Sequence, residues 1–167
     1  MNKNTIIRAV ATFLPSSSSE GKKNNISGVI HFEQNLNDNK TTIYGYINGL
    51  KTGKHGIHIH QYGDLTSGCE SAGPHFNPFG KTHGGPKNPN RHVGDLGNLH
   101  TNKKGEAKYT FYDNVIKLRG TKANIIGRGL IIHQDPDDCG QGNNEDSLKT
   151  GNAGKRIACA VIGYSKD

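Results

Sequence analysis

The sequence contains no tryptophan, only 7% of its residues are aromatic, and only 31% are hydrophobic. So little apolar material suits short strands and long loops better than helices, and 23 glycines point the same way. No apolar run is long enough to cross a membrane as a helix. No helical period is visible. No repeat and no linker divides the 167 residues, so a single domain covering 1–167 is expected, long enough to bury a core. The net charge of +7 favours anionic partners. Basic residues are nevertheless scattered, and no basic run is interleaved with aromatics, so a nucleic-acid-binding module lacks a reading surface. A small anionic substrate stays open. The apolar stretch within Met1 to Leu14 is broken by Arg8 and followed by no clear cleavage site. It reads as a first strand and not a signal peptide, which places the chain inside the cell, in the cytoplasm. Three cysteines in such a chain are by default reduced.

What is present concentrates between Gly56 and Asp95. This stretch holds Gly56-Ile57-His58-Ile59-His60, Cys69, Gly73-Pro74-His75-Phe76-Asn77-Pro78, His83-Gly84-Gly85-Pro86 and Arg91-His92-Val93-Gly94-Asp95. His58 and His60 are two apart, so on a strand both rings share a face and can converge on one ion. Gly56 is expected on that face, leaving it open. The Gly-, Pro- and Asn-rich segment beyond forms neither a long helix nor a central strand. Its expected organiser is a metal, with His75, His83, His92 and Asp95 folding the loop around it. Three imidazoles and a carboxylate suit a closed tetrahedral zinc site.

Along the chain, strands are expected at Ile6 to Leu14, Ile26 to Gln34, Lys40 to Ile47, Lys54 to His60, Gly94 to His100, Glu106 to Asp113, Ile125 to Gln134 and Arg156 to Gly163. Asn35 to Asn39 reads as a hairpin turn, and Leu50 as a plug at an end of the core. Pro15 to Asn25, with its Ser16 to Ser19 run, reads as a mobile loop without chemistry. Gln141 to Gly154 is a second long polar loop. The fold expected is all-β: an eight-stranded antiparallel Greek-key β-barrel or sandwich, immunoglobulin-like in architecture, with two long functional loops.

These motifs, with Arg91-His92-Val93-Gly94-Asp95-Leu96-Gly97-Asn98, Ile125-Ile126-Gly127-Arg128 and Gly151-Asn152-Ala153-Gly154-Lys155-Arg156, resemble the Cu/Zn superoxide dismutase family from about Ile26 to Gly163. The resemblance implies an enzyme that dismutates superoxide to oxygen and hydrogen peroxide with a copper ion and a zinc ion. It assigns copper to His58, His60, His75 and His133, and zinc to His75, His83, His92 and Asp95, with His75 shared. Copper does the redox work, and zinc orders the loop. Asp137 matches a carboxylate that links a copper ligand to a zinc ligand, while Asp138 beside it reads as a solvated loop acid. Arg156 matches the arginine that docks the anion. Glu145, Asp146, Lys149 and Thr150 match the loop that shapes the field of the channel. Cys69 and Cys159 match a disulfide, against the reduced default, leaving Cys139 as a free thiol. His55 is assigned a structural place beneath the copper site, and His31 and His100 ordinary positions. A homodimer is implied through Tyr62, Gly63, Ile126, Gly127, Val161, Gly163 and Tyr164, and a copper chaperone is a further partner the family raises. A metal buffer with the same fold is the competing reading, but a buffer needs neither Arg156 nor a charged channel loop.

Overall fold

The computed structural model describes residues 5–17, 23–120 and 122–166. Met1 to Asn4, and Ser18 and Ser19 of the serine run, lie outside them. Eight long strands form in sequence order: β1 Ile6–Phe13, β2 Ser27–Asn35, β3 Thr41–Asn48, β4 Gly53–His60, β5 Asp95–Thr101, β6 Glu106–Asp113, β7 Gly129–His133 and β8 Arg156–Val161. All pair antiparallel, in the order β8-β7-β4-β5-β6-β3-β2-β1. A ninth piece, Gly163–Tyr164, continues β8 and pairs with β1, bringing the far edges of the sheet together into a nearly closed barrel. Closure matters because an open strand edge exposes unpaired backbone groups.

Alternation explains the core. Ile30 and Phe32 of β2, Ile43 and Ile47 of β3, Ile57 and Ile59 of β4, and Leu130 and Ile132 of β7 are fully buried in one cluster. Leu50 joins that cluster, as expected of a plug. Strand β4 is buried on both faces: Ile57 and Ile59 point inward, while His58 and His60 are covered from outside. The cover is the two long connections, 61–94 between β4 and β5 and 134–155 between β7 and β8.

Two strand boundaries differ from expectation. The strand expected from Ile125 begins only at Gly129, because the chain turns at Gly127 (φ 80°) and Ile125 donates its N–H to the Lys117 carbonyl. The last strand breaks at Ile162, whose N–H and carbonyl pair with Arg128 and Gly127 instead of the ladder, so the main sheet has nine strands where eight were expected. The segment Pro15 to Asn25, read as a loop, contains a short antiparallel ribbon between Ser16–Ser17 and Lys23–Asn24. The two long connections also carry short elements: a strand at Thr66–Cys69, a 3-10 turn at Glu70–Ala72 and one helical turn at Ser147–Thr150.

Candidate metal centre

Strand alternation brings His58 and His60 to the outer face of β4, as the spacing predicts. Gly56, expected to leave that face open, does not. A Cβ built there would lie 2.8 Å from Ala153 Cβ and 3.4 Å from Asp137 Cβ, so the glycine admits the second loop against β4. Connection 61–94 is stitched to the same strand. His60 and His75 form a β-bridge, and Phe76 N–H donates to the Ile59 carbonyl at 2.8 Å. His133 arrives from the end of β7.

Two groups of four side chains result, each able to direct its ligand atoms to one point: His58, His60, His75 and His133, and His75, His83, His92 and Asp95. Every member is buried, and His75 belongs to both.

Hydrogen bonds select the free nitrogen of each ring. In the first group, His60 Nδ1 lies 2.7 Å from the Gly73 carbonyl and His133 Nδ1 3.0 Å from the Gly154 carbonyl. A carbonyl only accepts, so each Nδ1 carries the proton and each Nε2 keeps its lone pair. Those two Nε2 atoms face one another at 3.3 Å. His58 is turned the other way, with Nε2 2.8 Å from Asp137 Oδ2. Its Nδ1 is buried without a hydrogen-bond partner among the described residues. A buried polar atom left so is costly unless something binds it.

In the second group three nitrogens converge on one oxygen. Asp95 Oδ1 lies 3.0 Å from His75 Nδ1, 2.9 Å from His83 Nδ1 and 3.1 Å from His92 Nδ1. The His83 approach lacks hydrogen-bond alignment, and that Nδ1 is also without a partner among the described residues. The other oxygen, Asp95 Oδ2, accepts the N–H groups of His92 (2.8 Å) and Gly84 (3.1 Å), which aims Oδ1 inward. Because His75 uses Nδ1 here, its Nε2 is the atom left for the first group. These donor sets suit a tetragonal copper and a tetrahedral zinc.

Asp137 joins the groups. Its carboxylate accepts from His58 Nε2 on one oxygen and His83 Nε2 on the other, both at 2.8 Å. Asn98 locks it by donating to its carbonyl and accepting its N–H. Asp138 is not the solvated acid expected: it accepts from Ser147 Oγ at 2.7 Å and Asn152 Nδ2 at 2.6 Å, and so braces the second loop. Arg91, to which the sequence assigns no role, donates to the Asp95 carbonyl at 2.6 Å and pairs with the buried Asp113 at the end of β6. Its signal was a position four residues before Asp95.

Burial disfavours a charged imidazole. It pushes His58 down to about 3, helped by His75, and His133 down to about 4, and it lowers His60 and His75 as well. Burial opposes protonation of His83 too, but the hydrogen bond to Asp137 and the negative charge of Asp95 close by outweigh it and hold this ring at about 9. Burial would raise Asp95 and Asp137, yet their histidine partners hold both well below the carboxylate range. Of the rings with shifted values, His83 is the one held protonated at neutral pH, so a metal binding there would displace a proton.

A cavity of about 1110 Å³ opens onto the first group, lined by His60, His75, His133, Arg156, Lys81 and Lys149 among others. Arg156 donates to the carbonyls of Cys69 (2.9 Å), Glu70 (3.2 Å) and Gly73 (2.8 Å). The Gly73 carbonyl is the one His60 uses. Cys69 and Cys159 form the expected disulfide, and Cys139 is free and half-buried. Asp146, Lys149 and Thr150 line the cavity; Glu145 does not, and pairs with Lys149 in solvent. His55 is buried between the carbonyls of His133 (3.0 Å) and Lys51 (2.8 Å), in keeping with a structural place. His31 stacks on Tyr44, and His100 is exposed.

Comparison with known proteins agrees with this geometry. The family model described as copper/zinc superoxide dismutase matches residues 26–162. A superoxide dismutase [Cu-Zn] of Paramecium bursaria Chlorella virus 1 is 58% identical over 143 residues, covering 85% of this chain and 75% of that protein. Superoxide dismutase [Cu-Zn] 5 of Dictyostelium discoideum is 51% identical over 145 residues, covering 87% and 95%. An extracellular superoxide dismutase [Cu-Zn] of Onchocerca volvulus is 52% identical over 143 residues, covering 84% and 71%.

Proposed function

Because the chain belongs to the copper/zinc superoxide dismutase family and converts two superoxide anions and two protons to oxygen and hydrogen peroxide, we propose a role for each residue of its site. His58, His60, His75 and His133 hold the copper; His75, His83, His92 and Asp95 hold the zinc. The observation that carries this is the membership of His75 in both groups, with Nδ1 against Asp95 and Nε2 left for the first group. When bound, copper supplies one-electron exchange with superoxide, and zinc supplies charge and order.

The chain does the rest. The Gly73 and Gly154 carbonyls and Asp137 fix three tautomers so that each lone pair faces inward. His75 Nε2 takes up and returns a proton while Nδ1 stays in the zinc group. Arg156 offers a permanent positive charge on the cavity wall and docks the anion. Asp146, Lys149 and Thr150 shape the approach, and Glu145 tempers Lys149.

The assignment is tested by replacing zinc with cobalt and measuring copper–cobalt magnetic coupling. His75→Ala should abolish it while His58→Ala leaves cobalt bound; normal coupling without His75 would refute the bridge. For Arg156, the second-order rate of superoxide loss should fall for Arg156→Gln and further for Arg156→Glu, with both metals retained.

A homodimer is also proposed, through a patch containing the exposed Tyr62, Val161 and Tyr164. The monomer mass by light scattering at micromolar concentration would refute it. Copper delivery by a chaperone rests on the family alone, and copper loading in cells lacking such a chaperone tests it. Among the described residues no helix is long and apolar enough to cross a membrane. Action inside the cell is a proposal of the sequence reading, set against a relative named extracellular, and fractionation of cells and medium decides it.

A further inference from the structure

Arg128 ends the motif Ile125-Ile126-Gly127-Arg128 and has no part in the roles above. Its guanidinium carbon lies 3.5 Å from the centroid of the Phe76 ring. At that distance a planar cation stacks on the negative face of the ring. The same group donates from Nη1 to the Gln61 carbonyl at 2.7 Å and from Nε to the Asn124 carbonyl at 2.9 Å. Gln61 in turn donates its backbone N–H to the Pro74 carbonyl at 2.8 Å. One guanidinium thus reaches both neighbours of His75: Phe76 through its ring, and Pro74 through Gln61.

We propose that Arg128 is a positioning residue for His75, holding the backbone on either side of it so that the ring meets both metal groups at once. His75 sits on a connection and not within a long strand, and its own ring contacts lie with other site residues. Its orientation therefore depends on how firmly residues 74 and 76 are held. Phe76 is fixed by backbone too, donating to Ile59 at 2.8 Å and accepting from Gly94 at 3.1 Å, which leaves the ring as a platform for Arg128. Lysine would keep the charge but could not stack a planar fork while donating in two directions. The proposal rests on the reading of His75 as the shared ligand.

The experiment uses Arg128→Lys and Phe76→Leu, singly and together, loaded with copper and with cobalt in the zinc site. Copper magnetic resonance should broaden in Arg128→Lys, copper affinity of the zinc-loaded protein should fall roughly tenfold, and the salt dependence of the rate should be unchanged. The double variant should lose less than the sum of the two single losses, because the stacking contact is shared, yet more than Phe76→Leu alone, because the Gln61 arm goes only with Arg128. A wild-type spectrum and affinity in Arg128→Lys would overturn the proposal. So would a changed salt slope with an intact spectrum, which would make Arg128 a steering charge, or a lowered melting temperature alone, which would make it a stability contact. If Arg128→Lys does not fold, Phe76→Leu carries the same spectral test. Coupling that survives His75→Ala would instead defeat the underlying reading of His75.

Discussion

The two groups that share His75 are assembled in opposite ways. The imidazoles of the proposed copper group come from three places in the chain: β4, the first connection and the end of β7. The members of the proposed zinc group all come from that one connection and the first residue of β5. On the copper side, two backbone carbonyls and one carboxylate orient rings rooted in the barrel. On the zinc side, three nitrogens close on a single oxygen. A site rooted in strands is presented by the fold itself, whereas a site made by a loop is held by whatever occupies its centre.

The largest expected effect separates the two directly. Withdrawing zinc should cost about 10 kcal/mol of local binding free energy, by analogy with other structural sites. The N–H groups of Gly84 and His92, bonded to Asp95, should then exchange rapidly while those of β2 and β3 stay protected. Equal loss across the molecule would erase the distinction. Next is the disulfide, which closes a separation of 90 residues. Cys159→Ser should lower stability by about 4 kcal/mol in denaturant titration, and Cys139→Ser far less. A smaller effect tests the link between the groups: Asp137→Asn should weaken both metals roughly 10–100-fold. Asp138→Asn should leave both affinities alone and loosen only the second loop. An effect of Asp137→Asn on one metal only would deny it the bridging role.

The smallest change is expected from pH near neutrality in the metal-free protein. His58 at about 3 and His133 at about 4 stay neutral when folded. The unfolded chain takes up protons below about 6.5, so stability falls as pH drops from there. His83, held at about 9, contributes stability fully below about 6.5 and loses it as pH rises toward 9. Stability should peak between, and a steady rise across this range in thermal melts would remove His83 from the balance.

Much of this was legible in the sequence. Alternation located the strands, and histidine spacing picked out His75, His83, His92 and Asp95, which the structure brings together, because both are local patterns. The copper set, Asp137 and the disulfide came through family resemblance, since no local rule links His58 to a residue 79 positions away. What escaped was made by distant backbone. Ile162 leaves its ladder for Arg128 and Gly127, Gly56 yields to Ala153, and Arg128 finds Phe76. Asp138 looked solvated because its partners, Ser147 and Asn152, are ordinary polar residues when read singly.

One carbonyl oxygen, that of Gly73, accepts from both His60 and Arg156. The ring and the guanidinium are therefore mounted on a common pivot. Displacement of the loop at residue 73 carries both in the same direction, so their separation changes less than the position of either. The Gly73 oxygen therefore serves as a shared reference point for the two side chains, beside the Cys69 and Glu70 carbonyls that also hold Arg156.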